Sequence, residues 1–146
     1  MRVNLQRVLS IAVFAGLAAG ATLRATYAED HPDAYEVWST KKVMDKVHVG
    51  KQSLLSVINK DLRKAEPDWK GDEKNLTEII RLMSMLTKQK PLRGSQEAWD
   101  KLVQDYVHGA KAARQNVKKH RLQAARAALE EVVATCDECH DNHGIK

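Results

Sequence analysis

The sequence predicts an all-α fold, an antiparallel four-helix bundle, on three observations. Beyond the first 28 residues the apolar positions recur at three- and four-residue steps, the spacing of one helix face. No stretch alternates apolar with polar residues as a half-buried strand would. The helical segments are joined by short polar breaks, and short joins make successive helices antiparallel neighbours.

Residues 1–28 read as a signal peptide. A short positive segment carries Arg2 and Arg7, and an apolar run rich in Ala and Gly follows from Val8 to about Leu23. Thr26-Tyr27-Ala28 is a small-x-small cleavage site ahead of the polar Glu29-Asp30. The apolar run falls short of the roughly 20 residues that span a bilayer. Cleavage near Ala28 and release into the periplasm are therefore expected, without stable membrane insertion. The mature chain, residues 29–146, suits one domain with a modest core. Its charge is small. The full chain is formally +5, but Arg2, Arg7 and Arg24 leave with the leader, which has no acids, so the mature balance is +2. A basic nucleic-acid protein is not indicated, and pairs such as Lys118-Lys119 read as solvated surface.

The first helical segment spans about 33–61, with Val37, Met44, Val47, Leu54, Leu55 and Ile58 along its stripe. Gly50 is a point where it can bend, at about 1 kcal/mol relative to alanine. Residues 66–71, with Pro67 and Gly71, break the chain. A second helix over about 72–88 presents Leu76, Ile79, Ile80, Met83 and Leu86. Residues 90–95 form the next break, and Ser95 is a suitable N-cap. The third helix, about 96–118, carries Trp99, Leu102, Tyr106, Ala110, Ala113 and Val117. Neither Gly nor Pro marks the last join, which is placed near Lys119-His120. The fourth helix has the most regular seam: Leu122, Leu129 and Cys136 are spaced by seven, as are Ala125, Val132 and Cys139. Both cysteines thus continue a core-facing stripe.

Those cysteines belong to Cys136-Asp137-Glu138-Cys139-His140, six residues from the C-terminus. C-x-x-C-H is the attachment signature of c-type haem. Thiols three apart on a helix lie one above the other and can reach two vinyl groups on one porphyrin edge, while the histidine offers its imidazole to the iron. Two other readings use the same residues. A redox dithiol normally opens a helix after a strand, whereas this pair closes one. A Cys₂His₂ zinc site from Cys136, Cys139, His140 and His143 would need four ligands within eight residues, two of them adjacent, where structural zinc sites usually join two separated pairs.

With an export leader, four helical segments and C-x-x-C-H near the end of the last, the chain from about residue 33 to 146 resembles the class II cytochromes c, the cytochrome c′ family. The resemblance implies one covalent haem c held by Cys136 and Cys139, with His140 as proximal ligand of the iron. The family's sixth position lies on the first helix, where a methionine gives a low-spin, electron-transferring haem and an apolar residue leaves the iron open to small gases. Met44 matches the methionine-ligated branch, and His48, one turn further on nearly the same face, is the alternative ligand. Two departures stand out. Thr40 occupies the place of an arginine that commonly lies near the haem propionates, and His143 and Gly144 replace an aromatic and an arginine after the haem histidine. Met83 reads as core and Met85 as surface; Trp99 and Tyr106 read as core. His108 and His120 read as surface, and His31 lies ahead of the helices.

The expectation is thus a periplasmic electron-transfer cytochrome serving redox partner proteins, a carrier rather than an enzyme. No nucleophile, general base or substrate pocket is evident. The alternatives are a five-coordinate haem protein that binds NO or CO, and a haem-free periplasmic metal-binding helical protein. The resemblance leaves a homodimer through the outer helices open.

Overall fold

A computed structural model describes residues 38–143. The expected leader and its expected cleavage site, His31, Gly144 and the first residues of the first expected helix, Val37 included, lie outside the described residues. The described part is all-helical: α1 Thr40–Val47, α2 Leu54–Asp61, α3 Trp69–Ser84 continued by a 3₁₀ turn Met85–Lys88, α4 Gln96–Lys118 and α5 Leu122–His143. Among the described residues no helix is long and apolar enough to cross a membrane.

The single first helix expected over 33–61 is two helices. Gly50 sits at φ +85°, in the left-handed region that ends a helix and that side chains rarely adopt. Ser53 then starts a new helix by accepting a hydrogen bond from Ser56 N at 3.4 Å. Ser39 caps α1 in the same way through Lys42 N, and Ser95 caps α4 through Ala98 N at 3.1 Å, as its position in the sequence suggested. The second expected helix begins three residues early, at Trp69, because Asp68 accepts from Gly71 N at 3.0 Å and closes the first turn.

The join without Gly or Pro has its own solution. His120 takes the left-handed position (φ 53°), where histidine is several-fold enriched among non-glycine residues. Its N–H reaches Val117 O and that of Arg121 reaches Asn116 O, each at 2.9 Å, the paired bonds of a Schellman cap. The imidazole stacks on Trp69 at 4.9 Å between centroids, which ties this turn to the start of α3.

Packing follows the apolar stripes. α4 lies between α3 and α5, and α3 also receives α1 and α2. Ala110 and Ala113 on α4, with Ala125 and Ala128 on α5, are buried and keep the two backbones close. A side chain at Gly109 would strike Val132 Cγ2 at 2.8 Å. α5 is also joined to the end of α2, where Arg126 Nε donates to Leu62 O at 2.7 Å. The core continues through Val43, Val47, Ile58, Leu76, Ile79 and Leu82 to Trp99, whose Nε1 donates to Leu86 O at 2.7 Å.

One polar contact inside this frame is pH-sensitive. Asp61 accepts from Lys64 and from Asp68 N, and its carboxyl lies below the usual range, chiefly through the Lys64 hydrogen bond. Asp72, 2% exposed with Oδ2 unpartnered among the described residues, is pushed up to about 7 by burial first, then by the charges of Asp61 and Asp68. A carboxyl raised in the folded state holds its proton where the unfolded chain has lost it, so the contribution of Asp72 to stability falls as pH rises from about 4 to about 7 and stays level above. Asp72→Asn is expected to remove that fall: urea unfolding at pH 5 and pH 8 should show the variant gaining on the parent at pH 8. An equal difference at both values would contradict it.

Candidate functional site

The α5 seam determines where the motif lies. Ala125, Leu129 and Val132 are buried against α4, and the next positions of the stripe, Cys136 and Cys139, are half-buried at the edge of the same core. Beyond them the core gives way to a cavity of about 150 Å³. That is below the roughly 300–1,000 Å³ typical of small-molecule and cofactor sites; what marks the site is its lining. Thr135, Cys136, Cys139 and His140 of α5 form one side of its lining, and Met44, His48 and Val49 at the end of α1 contribute another. Between them stand Met83 of α3, Leu86 of the 3₁₀ turn, and Trp99, Leu102, Val103 and Tyr106 of α4. The walls are almost wholly apolar, and Val49, 63% exposed, marks the rim.

All five residues singled out in the sequence therefore line one cavity: Cys136, Cys139 and His140 on the last helix, and Met44 and His48 on the first. Met83 lines it too, as do Trp99 and Tyr106, which the periodicity places in the core. Met85 packs partly buried against the core. Thr40 is the first residue of α1 and is partly buried.

The chemistry of these groups is set by the apolar walls. Burial raises the Cys136 thiol above its ordinary value, with the charge of Asp137 next; burial and then Glu138 raise Cys139. Cys136 Sγ is 3.7 Å from Val132 O, to which it donates, and both thiols are free. Reactive dithiols have lowered thiol pKa values, so the surroundings of this pair oppose a redox dithiol. Burial, and then the charge of a protonated His140, lower His48 to about 4. At neutral pH His48 is an uncharged imidazole, able to offer a nitrogen lone pair. It meets Tyr106 edge-on at 5.5 Å. Tyr106 is 3% exposed, and its hydroxyl has no partner among the described residues; burial pushes its pKa well up.

His143 is separate from this set. It is fully buried, its Nδ1 lies 2.7 Å from Arg93 O, and its ring stands edge-on to Trp99. Among the described residues no three of His, Cys, Asp or Glu are gathered to hold an ion. No protein-family model, curated protein or solved structure matches the chain, so the geometry of the site carries the functional reading.

The thiols are testable directly. In chain with free sulfurs, iodoacetamide labelling of Cys136 and Cys139 at pH 7 is expected to be slower than for an exposed cysteine. Its pH midpoint should lie above the ordinary thiol value of about 8.5. Rapid labelling at pH 7 would reveal an activated thiolate and restore the dithiol reading.

Proposed function

We propose that the chain is an exported c-type cytochrome similar to the class II family, carrying one covalent haem and transferring electrons in the periplasm. In this reading α1 and α2 together stand as the first arm of an antiparallel four-helix bundle, with α3, α4 and α5 as the others. The observation that carries it is that both cysteines and His140 from α5 and Met44 and His48 from α1 line the same apolar cavity.

The residues fit such a group. Two protonated thiols and an imidazole lie in sequence on one side, sulfur and nitrogen donors lie on α1, and apolar walls stand between them. Cys136 and Cys139 would hold the haem by thioether bonds, and His140 would be its proximal ligand. The group supplies a one-electron ferric–ferrous couple. Met44 is the proposed distal ligand, and a thioether there favours the ferrous state and raises the reduction potential. His48 is the second reading, supported by its uncharged imidazole in the cavity lining. Leu86, Leu102 and Val103 exclude water, which further fixes the potential. The role is that of a carrier for redox partner proteins, without a catalysed reaction of its own.

The test is the absorption spectrum of the purified ferric protein, with haem staining of a denaturing gel as the preliminary. Met44 ligation gives a low-spin spectrum with a methionine–iron charge-transfer band, which Met44→Ala abolishes and His48→Ala leaves. Loss of the low-spin signature in His48→Ala alone would assign His48 instead. A high-spin parent spectrum with ready binding of CO or NO would replace electron transfer by gas binding. A gel without covalent haem would overturn the haem reading altogether.

A further inference from the structure

The last turn of a helix is the part that frays, because its final carbonyls have no partners within the helix. His140, the proposed proximal ligand, lies in the last turn of α5, which ends at His143. A ligand position there needs an anchor from outside the helix. His143 is 0% exposed, although the two residues between it and His140 are exposed. Its Nδ1 meets Arg93 O at 2.7 Å. A carbonyl oxygen only accepts, so Nδ1 carries the hydrogen and donates. The ring stands edge-on to Trp99, with centroids 5.1 Å apart and planes at 83°. Trp99 in turn lines the cavity and is held by Leu86 O.

The opposing loop is shaped to receive this ring. Gly94 has φ +80°, and a Cβ there would meet His143 Nδ1 at 2.9 Å and Cε1 at 3.1 Å. The absence of a side chain at Gly94 is thus what lets the imidazole reach the Arg93 carbonyl. Among the described residues the fit leaves Nε2 buried without a partner, a cost that one good hydrogen bond and the Trp99 contact must offset.

We propose that His143 is a positioning residue: it latches the C-terminal turn of α5 to the Arg93–Gly94 loop and thereby sets how His140 and Cys139 face the cavity. The latch is a contact between α5 and the loop; what the turn carries rests on the haem reading. The sequence C-x-x-C-H-x-x-H then has two unlike histidines, one offered to the cavity and one holding the helix end in place.

The test uses the mature chain as purified and measures amide hydrogen exchange, the reduction potential and thermal unfolding. His143→Ala is expected to speed exchange over residues 139–143 about tenfold, the loss of roughly one hydrogen bond, while the α4 core over residues 102–117 keeps its protection. His143→Asn can donate from its amide to Arg93 O and should restore most of the protection. Gly94→Ala, which obstructs the ring from the other side, should reproduce the His143→Ala exchange pattern with His143 intact. In the haem-loaded protein His143→Ala should shift the reduction potential and His143→Asn should not, at matched thermal stability. Unchanged exchange over 139–143 in His143→Ala would overturn the latch, and an unchanged potential would overturn the positioning role. Parent protein without covalent haem would overturn the haem reading instead, with the exchange measurement still deciding the latch.

Discussion

The packing of α5 on α4 is the constraint on which the rest of the molecule depends. Ala125, Ala128, Leu129 and Val132 of α5 and Ala110 and Ala113 of α4 are buried, and at Gly109 the helices approach so closely that a side chain would strike Val132. That interface sets the rotation of α5 about its axis. The helical repeat then carries the same face forward to Cys136 and Cys139. A rotation of α5 by one residue position, about 100°, would swing both thiols off the seam, because a helix has 3.6 residues per turn. A packing requirement at one end of the helix is thus converted into an orientation of sulfur atoms at the other.

The cavity is where this seam outruns the core. Toward the α4–α5 turn the stripes are filled by small aliphatic side chains that interlock. Toward the C-terminal end, Met44, Met83, Cys136 and Cys139 meet around open space, with aromatic side chains behind them. The same apolar walls explain the protonation states. They hold the thiols in their neutral form and His48 uncharged. Neutral sulfur and nitrogen donors around an apolar space are what the proposed haem would meet. They suit neither a thiolate nucleophile nor a hydrated divalent ion.

Much of this was legible in the sequence because it is periodic. α4 occupies Gln96–Lys118, as its stripe and the Ser95 cap predict, and the seven-residue seam of α5 carries its cysteines to the core edge. What was illegible depends on geometry between elements. Gly50 could bend a helix or end one, and only its positive φ together with the Ser53 cap decides for two helices. The α4–α5 join lacked its usual glycine because His120 takes the left-handed position and rests on Trp69. Trp99 and Tyr106 lay correctly on the apolar stripe, but a stripe does not distinguish a filled core from the wall of a cavity. The location of His143 depends on the Arg93–Gly94 loop, fifty residues away in sequence, which no local pattern connects to it.

The central claim is that the α5 sulfurs and His140 hold a covalent haem inside the cavity that Met44 and His48 line from α1. The most direct measurement is the mass of the C-terminal proteolytic fragment containing residues 136–140, from protein exported in a host able to mature c-type cytochromes. The expected fragment is heavier than its peptide by one haem, with the added mass retained after acid–acetone extraction. A fragment at the bare peptide mass, or two hydrogens lighter as a disulfide, would contradict it.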